Sequence, residues 1–125
     1  MNTPDVICRV AFRKARRQDP SLKEDMIDDA LAYYYPQALS HLHNVATYDP
    51  ELYATSEAES AIIEYLVAEF LGEQPRSSQS VRIALMTWAR AAAVENYDDN
   101  PNTYPDYPEI TTRIRSNSWR KNPNV

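Results

Sequence analysis

Apolar residues recur at helical spacing through the first three quarters of this chain, and alternate only in one short piece near its end. The spacing predicts a first helix starting at Thr3 or Pro4. Thr3 is a suitable cap, Pro4 suits the first helical position, and Asp5 suits the positive end of the helix dipole. Ile7, Val10 and Ala11 supply its apolar strip, with Phe12 beside it, and Gln18-Asp19-Pro20 ends it. A second helix is expected to open with Asp19 as cap and Pro20 at its first position. Leu22, Met26, Ile27, Ala30, Leu31, Tyr33 and Tyr34 form its apolar face, opposite Glu24, Asp25, Asp28 and Asp29. Pro36 removes one backbone donor and clashes with the preceding turn, so a kink or break is expected near Tyr33–Pro36. The pattern resumes at Leu39, Leu42 and Val45 and runs to about Ala46, with a turn at Asp49-Pro50.

Ser56 and Glu59 have capping-box spacing ahead of a third apolar run that ends near Leu71, with Gly72 as its C-terminal cap. This helix has two apolar faces: Ile63, Val67, Phe70 and Leu71 on one, Ile62, Tyr65 and Leu66 on the other. Two such faces imply a central position or a covered subunit interface. After a loop at Gln74–Ser78, Ser77 or Ser78 caps a long alanine-rich helix. It carries Val81, Ala84, Leu85, Trp88, Ala89 and Ala92 on one stripe, and Ile83, Thr87 and Val94 on another side. It is expected to stop near Asn96 or Tyr97.

Beyond Asp98 the pattern changes. Pro101, Pro105 and Pro108 exclude a helix, and Ile110, Thr112 and Ile114 then alternate with Thr111, Arg113 and Arg115 in a strand-like piece. The expected fold class is therefore all-α: a small bundle of four to five helices over 1–97, followed by a long extended C-terminal arm over 98–125. The single glycine among 125 residues argues against turn-rich β architectures and against a glycine-rich phosphate loop.

Charge adds a polarity. The net charge is −5, but residues 9–17 hold Arg9, Arg13, Lys14, Arg16 and Arg17. Residues 18–97 hold 13 acidic groups against four basic ones, and the stretch from Ile110 onward holds Arg113, Arg115, Arg120 and Lys121 with no acid. Basic ends around an acidic middle favour arm-to-body contact between copies, or binding of the ends to another surface. Arg9, Arg13, Lys14, Arg16 and Arg17 are candidate interface or phosphate contacts; alternatively they are a solvated helix end matched to the dipole. The arm carries Tyr104, Tyr107, Ile110, Ile114 and Trp119 among its polar groups. Tyr, Trp and Arg are the residue types that dominate binding hot spots. Tyr104, Tyr107, Ile110, Arg113, Ile114, Arg115, Trp119, Arg120 and Lys121 are thus expected to bind a partner.

Signals for chemistry are weak. His41 and His43, two apart on a helix, point to different sides and make no joint metal site. Glu59, Glu64, Glu69 and Glu73 read as a solvated stripe, because the Glu-x-x-His pattern of carboxylate-bridged metal bundles is missing. One cysteine, Cys8, forms no internal disulfide and sits among apolar helical positions. No apolar run reaches the ~18 residues of a membrane span. These readings predict no enzyme, no cofactor, no membrane partner and folding in a reducing cytoplasm.

The order of segments resembles the head-to-tail adaptor (connector) proteins of tailed double-stranded DNA phages, most closely the packaged-DNA stabilisation adaptors of short-tailed phages. The resemblance is carried by the short basic first helix, the acidic second helix, the helical pair Ser56–Gly72 and Ser80–Arg90, and the proline-containing tail. It implies a homo-oligomeric ring, usually of twelve copies, beneath the portal. It also implies C-terminal arms that dock on the portal protein and a lower rim that receives a tail or nozzle protein. Packaged DNA would pass the channel without specific binding, and the chain would reside in the virion neck after synthesis in the host bacterial cytoplasm. The main competing expectation is a small helical DNA-binding or regulatory protein that uses its basic terminal segments.

Overall fold

The computed structural model describes residues 1–99, and over these residues the chain is an all-α bundle without strands. Helix α1 spans Pro4–Gln18. It starts as its sequence implies: the Thr3 hydroxyl accepts from the Val6 N–H at 3.4 Å, Pro4 occupies the first turn and Asp5 lies near the positive dipole end. Ile7, Cys8, Ala11, Phe12 and Ala15 are its buried stripe, and Val10 is only half-buried.

The second helix does not begin at Pro20. Asp19 ends α1, its N–H bonded to the Ala15 carbonyl at 3.0 Å, and its side chain turns the chain instead of capping a helix. Asp19 Oδ1 accepts from the Ser21 N–H at 3.1 Å and from the Ser21 hydroxyl at 2.6 Å. Such local bonds compete with helical ones. Regular helix starts only at α2, Met26–Asp29.

A π-helical turn, Ala30–Tyr34, leads without a gap into α3, Tyr35–Ala46. The Tyr35 N–H reaches back five residues to the Ala30 carbonyl. The widened turn accommodates Pro36, whose ring would otherwise meet the carbonyl of residue 32. It also holds one residue more than an α turn, so the side chains after it are rotated by about 100°. Tyr35 is consequently buried, while Tyr33, expected on the apolar face, is 62% exposed.

Thr47 is left-handed (φ 55) at the end of α3. Asp49 then builds the expected turn, accepting from the Glu51 N–H at its side chain and from the Leu52 and Tyr53 N–H groups at its carbonyl. Helix α4, Thr55–Phe70, is entered through left-handed Ala54 (φ 46). The helix is thus already running at Ser56, and the expected capping box does not form. The Glu59 carboxylate is engaged elsewhere, by the backbone N–H and the side-chain amide of Asn2 at 2.9 and 3.0 Å. The far end follows expectation. Gly72 (φ 75) donates to the Glu69 carbonyl at 3.1 Å and Glu73 to the Ala68 carbonyl at 2.9 Å, the pattern of a Schellman cap.

A 3₁₀ turn at Pro75–Ser77 precedes α5, Gln79–Asp99. The Ser78 hydroxyl faces the Val81 N–H at 3.5 Å and its carbonyl accepts from Arg82 at 3.0 Å. Helix α5 passes the expected stop at Asn96 or Tyr97. The first strong breaker is Pro101, which disfavours helical geometry only in the residue before it.

Helix α4 is central, with Ala58, Ala61, Ile62, Tyr65, Leu66, Val67, Ala68 and Phe70 all buried. Phe70 meets Phe12 of α1 edge to face, ring centres 5.4 Å apart. Val81, Leu85, Trp88 and Ala92 are the buried side of α5, and the Trp88 indole N–H donates to the Tyr53 carbonyl at 3.1 Å. Residues Met1–Ala93 form one compact unit, and a second begins at Val94. The expected arm from residue 100 on lies outside the described residues, and with it Tyr104, Tyr107, Ile110, Arg113, Ile114, Arg115, Trp119, Arg120 and Lys121.

Candidate functional site

Two unlike grooves flank α1 and α4. The first is basic. Arg9, Arg13 and Arg16 recur at three- and four-residue spacing on one side of α1 and line a cavity of about 270 Å³ with Phe12, Glu24 and Ile27. Arg9 is tied to Asp5 by an ion pair at 3.0 Å, and that carboxylate raises its pKa. Arg16 lies over the Phe12 ring, 5.8 Å from its centre. Arg13 is exposed. The sequence cluster is therefore split. Lys14 projects from another flank of α1 and pairs with Glu64 of α4, and Arg17 ends the helix without entering the cavity. Glu24 and Ile27 joined this group unforeseen, because the segment after Pro20 folds as turns that return to α1.

The second groove lies between α4 and α5. Glu57, Ser60 and Glu64 line one wall; Ser80, Ile83, Ala84 and Thr87 line the other, around about 480 Å³. Four- and three-residue steps put each set on one helix face. Ile83 and Met86 of α5 remain 56% and 53% exposed. Their stripe stands about 180° around the helix from the buried Val81–Leu85–Trp88–Ala92 stripe. The sequence signal was the second apolar side of this helix, although nothing in the periodicity tied it to Glu57 and Glu64. Val94, also on that side in sequence, is exposed as well.

A third, polar depression of about 470 Å³ is lined by Tyr34, Gln37, Tyr65, Glu69, Gly72, Glu73, Gln74, Pro75 and Arg76. The His41 ring packs against Tyr65 with centres 5.7 Å apart, and its Nδ1 is buried without a hydrogen-bond partner. Burial, then the Arg76 charge, holds the His41 pKa below its ordinary value. Burial raises Glu69 and is the largest cause of the rise at Tyr65. The glutamates of α4 are accordingly not a solvated stripe. Glu59 holds Asn2, Glu64 holds Lys14 and Glu69 is half-buried, which leaves Glu73 exposed. His43 is exposed and apart from His41.

Among the described residues, no three His, Cys, Asp or Glu side chains gather where they could hold a metal ion. No described helix is long and apolar enough to cross a membrane. The chain matches no protein-family model, no curated protein and no solved structure.

Proposed function

We propose that this chain is a structural subunit of the phage head-to-tail adaptor kind. Copies would form a ring beneath the portal, the C-terminal segment docking on the portal protein. The body would join the tail and retain packaged DNA. The observation that carries this reading is helix α5. One side of it is fully packed in the core, and the opposite side presents Ile83 and Met86 to solvent beside an acid-rimmed groove. A helix apolar on both sides is suited to side-by-side packing of copies. The basic groove of α1 supplies an unlike second surface, as a ring of head-to-tail contacts requires. Each contact is weak alone, and a ring multiplies it by copy number.

The test is the mass of the purified chain, alone and mixed with a candidate portal ring. Incorporation in a fixed multiple, with residues after 100 protected from protease only in the complex, supports the adaptor reading. A chain that ignores the portal overturns it.

The three arginines of the basic groove favour one alternative, contact with nucleic-acid phosphates. Binding to duplex DNA that weakens steeply with salt would support that reading, and loss of that binding in Arg13→Glu would locate it.

A further inference from the structure

The groove between α4 and α5 has a composition that the rest of this chain can match. Its walls carry Ile83 and Ala84 as apolar surface and Glu57 and Glu64 as carboxylates. Glu64 is already paired with Lys14, whereas Glu57 makes no ion pair among the described residues. The groove is about 10 Å long, since Glu57 to Glu64 and Ser80 to Thr87 each span seven residues at helical rise.

The 26 residues that follow Asp99 contain one stretch of complementary chemistry. Ile110, Thr112 and Ile114 alternate with Thr111, Arg113 and Arg115, and no acidic residue occurs from Ile110 to the end. In extended form, same-side residues of such a stretch recur every ~7 Å, so two successive ones fill the groove. The arginines between them have side chains long enough to bend over its rim. Pro101, Pro105 and Pro108 fall among the ten residues between Asp99 and Ile110, a composition that favours reach over folding back on the same chain.

We propose that residues Ile110–Arg115 of one copy bind the α4–α5 groove of a second copy, with Thr112 and one flanking isoleucine against Ile83 and Ala84 and an arginine on Glu57. Trp119, Arg120 and Lys121 lie beyond this contact and remain available to another partner. The contact is between copies of this chain and requires no portal, so it stands or falls separately from the adaptor reading.

The test uses full-length chain in two single variants, Thr87→Cys in the groove wall and Thr112→Cys in the alternating stretch. Mixed at equal amounts and mildly oxidised, they are expected to yield the mixed disulfide several-fold over either homodimer. Ile83→Asp, at an exposed position, is expected to reduce that yield about tenfold. Glu57→Arg should reduce it similarly, with partial recovery on pairing with Arg113→Glu. A statistical mixture of dimers overturns the proposal. So does a Thr87→Cys/Thr112→Cys double variant that closes only within one chain, since the stretch would then sit on its own body. Portal capture by the same samples reports on the adaptor reading alone.

Discussion

Cys8 is fully buried, and its thiol is pushed up to about 11, burial being the larger cause and the Asp5 carboxylate the smaller. The folded state therefore prefers the neutral thiol more strongly than the unfolded chain, whose value is near 9.0. This preference is fully present below pH 9 and is lost as pH rises towards 11. Urea midpoints measured across that window should fall more in the native chain than in Cys8→Ala; parallel curves would mean that the thiol titrates at its ordinary value. Gly72 offers a cleaner backbone test. A Cβ there would meet no atom within 4 Å, so Gly72→Ala carries only the left-handed strain at φ 75. That strain is about 1–2 kcal/mol. Equilibrium denaturation should register the loss without a change in slope, and an unchanged midpoint would mean that the cap relaxes at no cost.

Helix α5 is held to the loop before α4 by one buried aromatic side chain, Trp88, which fills core space and donates to the Tyr53 carbonyl. Trp88→Phe keeps most of the packing and leaves that carbonyl unpaired, at a cost of about 1–3 kcal/mol. Trp88→Ala adds a cavity and should cost about 3–5 kcal/mol. Urea unfolding of both variants should rank them in that order; equal losses would mean that the ring's packing adds nothing beyond the hydrogen bond, and an undisturbed Trp88→Phe that the hydrogen bond contributes nothing. Four helical stretches, most of the buried residues of α1, α4 and α5 and the Gly72 cap were legible because each depends on neighbours within a turn or two; in the second stretch the expected face was not the buried one, with Tyr33 and Val45 exposed. The late start at Met26 was not, since Asp19 had two local uses and only packing against α1 decides between them. The capping box failed for a similar reason: Glu59 found Asn2, a partner 57 positions away. Pro36 did announce an irregularity, but a proline signals only that the α ladder must open. The ladder here widens into a π turn and re-aims Tyr33 and Tyr35. The candidate site was legible in part. The sequence offered Arg9, Arg13, Lys14, Arg16 and Arg17 as one cluster, whereas the gathering of Arg9, Arg13 and Arg16 at one cavity, the assignment of Lys14 to Glu64 and the joining of Glu57, Glu64 and Ile83 around one groove depend on how the helices pack.

Every buried apolar residue of the described chain lies between Ile7 and Ala92. Core packing is the main source of helix stability in a small bundle, because isolated helices of this length are marginal in water. Removing residues 101–125 removes none of those buried residues. The truncated chain should therefore keep the helical signal per molecule and its thermal midpoint, within the ~0.5 kcal/mol typical of surface changes. Removal also deletes Tyr104, Tyr107, Trp119 and the four cations of the C-terminal stretch, the residues expected to engage a partner. Circular dichroism and portal capture, measured on the same truncated sample, separate the two roles. Retained helicity with lost capture fits a folded body that recruits through its C-terminal segment. Lost helicity would mean that residues beyond 100 complete the core, and the division between body and binding segment would then be wrong. Retained capture would move recruitment onto the body itself, where the exposed Ile83 and Met86 are the first residues to replace.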